Sequence, residues 1–346
     1  MSHRIVGLDI GSTALRAVEV EDAASPRPTI VRFAEALLPE GAVRAGEVVD
    51  AATVTATLKS MWSSAGFKSK DVVVGTGNSK VLARDMTVPK VPIAQIRESL
   101  QFQVQDLLPV PAADALLDFY PMTEIAAEAG PQLKGMLVAA IKAPVLRNVE
   151  TVQAAGLKVL DVDLIPFALS RLFAGDEHSD PAQLIVHLGA ASTVMVALVG
   201  RVPHLIRIMP SGGIDITRSI AQRMDVAMTD AEATKRAIGV VPSNASDAQR
   251  GALEVTFEIV NETLVSVRDT ILYFASSQPT TPIDRIVLSG GGAHLQGLAA
   301  ALGEYTRLEV AVPDPLALAT PAKGLRGTGD PFAMSVALGL AIGVPA

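Results

Sequence analysis

The sequence predicts an α/β protein of two lobes with duplicated halves and a small α+β subdomain inserted into the first. Three observations lead there. A strand–glycine turn–strand pattern at Ile5–Val20 returns at Leu184–Val199, the mark of a duplicated unit. Strands alternate with helical segments around both copies, as in a sheet covered by helices. Between Lys80 and Gly156 the texture changes, and this stretch holds strands and helices enough for a layer of its own.

The first half opens with the apolar run Arg4–Asp9, the turn Gly11-Ser12-Thr13 and the alternating run Ala14–Val20, which together read as a β-hairpin. Thr29–Leu37 reads as a third strand. Ala51–Ala65 carries Val54, Leu58, Met61 and Trp62 at helical spacing, with Gly66 placed to end the helix. Asp71–Gly77 is a valine-rich strand. In the inserted stretch, Val81–Val88 reads as a strand and Ile93–Leu108 as a helix stopped by Pro109-Val110-Pro111. Ala115–Pro121 reads as a strand, Ala126–Gly135 as a polar turn, Gly135–Ile141 as a buried strand and Ala143–Ala155 as a helix. The apolar face Ile96, Leu100, Val104 and Leu107 fits either a core or a groove wall. The second half follows its hairpin with the turn Ser211-Gly212-Gly213. Helices are expected over Ile214–Arg223, Asp230–Ala237 and Ser246–Ser276. A buried strand, Ile286–Gly292, runs into Ser289-Gly290-Gly291-Gly292, with a helix expected directly after it. Ser243–Ala248 and Gly324–Asp330 read as loops.

Composition narrows the function. The 346 residues are 49% hydrophobic with a net charge of −7, which argues against a dedicated nucleic-acid binder, since that needs a clustered basic face. There is no cysteine, so thiolate ligands, disulfides and cysteine nucleophiles are excluded. Charges at Arg4 and Asp9 argue against a signal peptide. The uncharged stretch Pro331–Ala346 would span about 24 Å at ~1.5 Å per residue, short of a ~30 Å hydrocarbon core. Gly339, Gly343 and Pro345 also punctuate it, so a buried helix is expected there, with a peripheral anchor as the alternative.

Chemistry gathers at three glycine turns, each following an apolar strand: Asp9-Ile10-Gly11-Ser12-Thr13, Leu188-Gly189-Ala190-Ala191-Ser192-Thr193 and Ser289-Gly290-Gly291-Gly292. Glycine lets a backbone approach a ligand closely, and converging N–H groups form an anion-binding nest. In this order the turns resemble those of the actin-like (ribonuclease H-like) ATPase superfamily, which includes sugar kinases, heat-shock chaperones and the cell-division protein FtsA. The resemblance implies that the two hairpins clamp the phosphates of ATP or ADP from opposite lobes. Gly11, Ser12 and Thr13 would do so from one side, and Gly189, Ser192 and Thr193 from the other. Asp9 would face Mg²⁺ through water. Gly212, Gly213 and the triple glycine Gly290, Gly291 and Gly292 would line the nucleotide. Glu232, Lys235 and Arg236 would hold ribose and adenine, or else form a solvated, salt-bridged helix face. One position departs: the second hairpin of the superfamily starts with an aspartate where this chain has His187. Histidine is a poor Mg²⁺ ligand, which puts hydrolysis in doubt more than binding.

The inserted unit and the tail narrow the resemblance. Pro89–Pro111 (P-K-V-P-I-A-Q-I-R-E-S-L-Q-F-Q-V-Q-D-L-L-P-V-P), the following A-L-L-D-F, and the later L-E-V-A-V-P-D-P and D-P-F-A-M-S-V-A-L-G-L-A resemble the PilM family of type IV pilus assembly. That implies a cytoplasmic ATP-binding scaffold with no membrane anchor of its own. It would bind the short cytoplasmic N-terminal tail of a PilN-type single-span protein. The groove would involve Val81–Val88, Ile93–Leu108 and Gly135–Ile141, and pilus motor ATPases would be further partners. The domain layout expected is 1–79 and 80–156 for the first lobe and its FtsA-type insertion, 157–200 for the crossover with the second hairpin, 201–320 for the second lobe, and 321–346 for a segment returning to the first. Two alternatives stay open. One is an ATPase or small-molecule kinase with Asp215 as base, and the other is an FtsA-like filament protein.

Overall fold

A computed structural model describes residues 4–25, 27–128, 130–174 and 181–342. The chain begins with β1 (Arg4–Ile10), β2 (Ala14–Glu21) and β3 (Thr29–Leu37), an antiparallel meander. The short pair β4 (Val43–Arg44) and β5 (Glu47–Val48) precedes α1 (Ala51–Ala65) and β6 (Asp71–Thr76). Then come β7 (Leu82–Pro89), α2 (Ile93–Gln103), β8 (Ala115–Ala127), β9 (Gly130–Ile141) and α3 (Lys142–Ala154), followed by β10 (Lys158–Leu164) and α4 (Ile165–Phe173). The later part holds β11 (Ala182–Leu188), β12 (Thr193–Val199), β13 (Val202–Met209), α5 (Gly213–Met224), α6 (Met228–Ile238), α7 (Arg250–Ser277), β14 (Ile283–Ser289), α8 (Leu298–Thr306), β15 (Glu309–Ala311), β16 (Thr320–Thr328) and α9 (Ser335–Ala341).

The duplication is visible in sheet order. One sheet runs β10-β6-β1-β2-β3-β16 and the other β13-β12-β11-β14-β15. In each, a three-strand meander presents its first strand to a parallel neighbour, β6 beside β1 and β14 beside β11. A second parallel strand lies outside that, β10 or β15. The architecture is α/β with two equivalent sheets. A separate antiparallel sheet, β7-β9-β8, belongs to the inserted stretch.

Burial follows from the sequence pattern. Strands such as Ala182–Leu188 are buried at every position because both faces are covered. Between the two large sheets lie α4 and α9. Val336, Leu338 and Leu340 of α9 are buried with Leu169, Val196 and Ile185, each such side chain contributing roughly 1.5–3 kcal/mol. The outer face of the first sheet is covered by α1 and α3, and that of the second by α5 to α8. The inserted unit has a small core of Val88, Ile96, Leu100, Val104, Phe119 and Leu137. Ile96, Leu100 and Val104 are therefore core rather than groove wall, while Leu107 is exposed.

Several expectations need correction. The helix starting at Ile93 ends at Gln103, and Val104 leaves helical geometry to enter the small core, with a tight 3₁₀ turn over Gln105–Leu107. The polar stretch expected as a turn, Ala126–Gly135, is mostly strand, because β8 and β9 stay paired to Ala127 and Gly130. Gly324–Asp330, read as a loop, contains the end of β16, which pairs in parallel with β3 from almost 300 residues away. Such pairing is a long-range property that local composition does not carry. The triple glycine opens a 3₁₀ turn, Gly291–His294, and α8 starts only at Leu298. No α-helix dipole therefore begins at Gly292. Pro331–Ala341 forms a 3₁₀ turn and the buried α9, in line with the buried-helix reading. Gly343 and Pro345 lie outside the described residues. Among the described residues no helix is long and apolar enough to cross a membrane.

Candidate nucleotide site

The two hairpin turns are built alike. Gly11 N–H donates to the Ala14 carbonyl at 3.1 Å, and Gly189 N–H donates to the Ser192 carbonyl at 2.9 Å. Each closes a tight turn at the end of a buried strand. Among the described residues, the N–H groups of Ser12 and Thr13, and of Ala190 and Ala191, have no backbone acceptor. Such donors at a strand end are suited to an anion.

Asp9 sits on β1 directly across from Arg16 on β2. The Arg16 guanidinium lies 3.8 Å from the Asp9 carboxylate and 2.7 Å from that of Glu35 on β3. Burial pushes the Asp9 carboxyl above the usual carboxylate range, against the pull of Arg16 and with the help of Glu35. The Nε of Arg16 is buried and has no hydrogen-bond partner among the described residues. An unsatisfied guanidinium N–H is costly, and an incoming phosphate oxygen would satisfy it. Sequence reading passed over Arg16 as one more alternating charge. Its one local signal is its spacing on the hairpin, where a turn of known length sets it opposite Asp9.

From the other sheet, His187 is the penultimate residue of β11 and hydrogen-bonds Ser289 Oγ at 3.0 Å. Burial drives its pKa down to about 4, and the charge of Arg16 adds to the fall. The ring is therefore neutral at pH 7. The triple glycine wraps over this strand. Gly290 has φ +82, and a Cβ there would come 2.6 Å from the Leu188 carbonyl and 2.9 Å from His187 Cε1. Gly291 faces open space.

The remaining candidates fall into two groups. Gly212 N–H donates to Asp215 Oδ2 at 2.9 Å, and Gly213 N–H donates to the Gly189 carbonyl at 2.9 Å. Their donors thus fasten α5 to the second turn, and a Cβ on Gly212 would meet the Ala190 carbonyl at 2.6 Å. Buried Thr193 donates from Oγ1 to the Ser211 carbonyl at 2.7 Å, tightening the same junction. Asp215 caps α5 and pairs with Arg218 at 3.1 Å, which engages the carboxylate that a kinase reading would use as base. On α6, Glu232 accepts from Thr217 and Lys235, both at 2.6 Å, and from Arg236 at 2.8 Å. Burial opposes its charged form, but these donors win and hold its pKa down to about 2. Lys235 also donates to the Gly213 carbonyl at 3.0 Å. Arg236 is exposed, and its charged form is favoured chiefly by the hydrogen bond to Glu232, with Asp330 and Glu35 adding to it.

A second concavity lies where the inserted unit meets the first sheet. It is lined by Lys80, Leu82, Leu108, Pro109, Ala140 and Ile141, and it continues into a neighbouring recess beside Asn78, Pro144 and Asn148. Lys80 is held at 2.8 Å by Glu47; the part beside Leu82, Leu108 and Pro109 is apolar, and the recess beside Glu47, Asn78 and Asn148 is polar.

Comparison with known proteins agrees with this layout. The family described as "Type IV pilus assembly protein PilM" matches residues 7–343. The chain belongs to the PilM family. A solved PilM-PilN type IV pilus biogenesis complex contains a chain 27% identical to this PilM-family protein, aligned over 98% of this chain and 97% of that one, with a TM-score of 0.81. Fold-level likeness extends to the ethanolamine utilization protein EutJ from Carboxydothermus hydrogenoformans (14% identity, 99% and 90% covered, TM-score 0.59). It also extends to MreB 5 of Spiroplasma citri bound to AMPPNP (11%, 98% and 95%, TM-score 0.55). The fold is thus actin-like. Cell division protein FtsA of Bacillus subtilis (strain 168) is 21% identical over 259 residues, 68% of this chain, and the chain spans 58% of that relative's length.

Proposed function

We propose that this PilM-family protein is a cytoplasmic nucleotide-binding scaffold of the type IV pilus inner-membrane platform. It holds ATP or ADP between its two glycine turns and the short N-terminal tail of a PilN-type single-span protein in the groove beside β9. The single observation that carries the reading is the end-to-end likeness, over 98% of the chain, to a chain of the PilM-PilN complex. The paired turns with N–H groups that lack a backbone acceptor and the unpartnered Nε of Arg16 support the nucleotide part. Gly11, Ser12 and Thr13 would meet the phosphates from one sheet and Gly189, Ala190, Ala191 and Ser192 from the other, with Gly291 beside the nucleoside and Glu232, Lys235 and Arg236 toward ribose and base.

Mg²⁺ commonly keeps several waters and needs one or two carboxylates plus nucleotide phosphates. The donor set fits that minimum through Asp9, a buried carboxylate beside the first turn. Among the described residues no cluster of three or more His, Cys, Asp or Glu is arranged for a metal, so the ion would depend on nucleotide oxygens. When bound, it would neutralise phosphate charge. His187 is neutral and engaged with Ser289, so the second hairpin supplies no carboxylate to orient water, and we propose that turnover is slow or absent. A groove with an apolar part and a polar recess suits an extended tail, with backbone bonds for affinity and small pockets for side chains. Pilus motor ATPases would engage the assembled platform.

The test is fluorescent ATP binding by wild type and Asp9→Ala, with capture of a synthetic PilN-type tail by wild type and Ala140→Arg. Wild type should bind both, and each variant should lose one ligand while keeping the other. No ATP binding at millimolar concentration would overturn the nucleotide reading, and a tail captured equally by Ala140→Arg would overturn the groove.

A further inference from the structure

At the rim of the cleft, two segments from different sheets meet. His294 ends the 3₁₀ turn that follows β14 of the second sheet. Asp330 follows β16 of the first sheet and caps the turn leading into α9, accepting from Phe332 N–H at 3.0 Å. Across the rim, His294 Nε2 lies 2.8 Å from Asp330 Oδ2. The His294 ring meets Phe332 edge-on, with centroids 4.9 Å apart and planes at 75°. Behind this contact the wiring runs inward. Asp330 N–H donates to Glu35 Oε2 at 3.3 Å, and the other oxygen of Glu35 holds Arg16 at 2.7 Å. Arg16 is the cation beside Asp9 at the first phosphate turn. On the second sheet, His294 lies two residues beyond Gly292, at the end of the turn that packs over His187.

We infer that Asp330 is a positioning residue for the nucleotide cleft: with His294 and Phe332 it clasps the two halves at the rim, and opening of this clasp sets the rate of nucleotide release. The clasp itself rests on the contacts above, and its effect on release rests also on the nucleotide reading. Both members are part-exposed, His294 by 50% and Asp330 by 33%. A water-screened pair of this kind is weak, which suits a contact that must break for ligand to pass. Glu35 ties the clasp to Arg16, so a phosphate drawing on Arg16 also acts on the carboxylate that orders Asp330.

The chain has no cysteine, so spin labels can be placed at Ser60→Cys on α1 and Ala233→Cys on α6, both exposed, without background. Pulsed electron–electron distance measurements on nucleotide-free protein then report the spacing of the halves. Asp330→Ala should broaden the distribution toward longer distances. Because this variant also uncaps the turn before α9, His294→Leu provides a second cut that leaves the cap intact, and it should broaden the distribution likewise. Release of fluorescent ATP should quicken about two- to fivefold in both variants, on the scale of losing one screened contact. An unchanged distribution in His294→Leu overturns the clasp, whether or not nucleotide binds. A broadened distribution with unchanged release overturns its role in exchange. If wild type binds no nucleotide, the nucleotide reading fails and the distances alone decide the clasp.

Discussion

His187 should stay uncharged far below the pH at which free histidines titrate. Its folded pKa of about 4 lies roughly 2.5 units below the ordinary 6.5, and each unit is worth about 1.4 kcal/mol. The sign follows from linkage. The unfolded chain takes up a proton near pH 6.5, whereas the folded one does so only near 4. Unfolding is therefore favoured as pH falls through that window, and the contribution of this site to stability is complete above 6.5. Between pH 7 and pH 5 the single site should cost about 2 kcal/mol, approaching about 3 kcal/mol at pH 4. The shift comes chiefly from burial, so it needs the ring to be dry as well as close to Arg16. The direct assay is NMR of protein labelled at histidine Cε1, in which five resonances are expected. One should fail to titrate above about pH 5 and should vanish in His187→Gln. Urea unfolding of wild type and His187→Gln at pH 7 and pH 5 gives the energetic counterpart, with wild type losing about 2 kcal/mol more than the variant. A His187 resonance titrating between pH 6 and 7 would refute the argument, because the residue would then be hydrated and the second turn open to water.

Other outcomes follow from the same geometry. Arg16→Gln should weaken ATP binding at least about tenfold, since a charge-assisted phosphate contact is worth roughly 1.5–3 kcal/mol, and calorimetric titration checks it. Glu19 is fully buried and accepts from Arg32 at 3.0 Å, Lys68 N–H at 2.9 Å and Ser69 N–H at 2.7 Å. Glu19→Ala strands these donors and should cost about 3–5 kcal/mol, read as a lowered midpoint in urea. His187→Asp should restore a carboxylate to the second turn and make ATP affinity more dependent on Mg²⁺, which titration with and without the metal would reveal. Equal affinities in both conditions would contradict it.

What local pattern could carry was legible. The opening meander and α1 were readable because their burial alternates or repeats within a few residues, and the bounds expected for Thr29–Leu37 and Ala51–Ala65 coincide with β3 and α1. The second hairpin was readable because it repeats the first. β16 was not, since its sequence is polar and glycine-rich and its strand character comes from β3. The same limit applies to the site. Glycine turns announce themselves by composition, and Asp9 by its place before one. Glu35, His294 and Asp330 join the cleft only through contacts between distant segments, for which one sequence has no signature. His187 was noticed as a departure, but its neutrality depends on a burial that only the folded sheet supplies.

The position of α9 bears on how the protein must be made. This helix fills the space between the first sheet and α4, so Ile5, Val18 and Val20 share a core with residues synthesised some 300 positions later. The first sheet cannot close its inner face during synthesis of the intervening 300 or so residues. Its apolar strands must wait uncovered, the condition in which nascent chains aggregate or recruit chaperones. A premature stop even a dozen residues before Ser335 would leave the earliest strands without their cover.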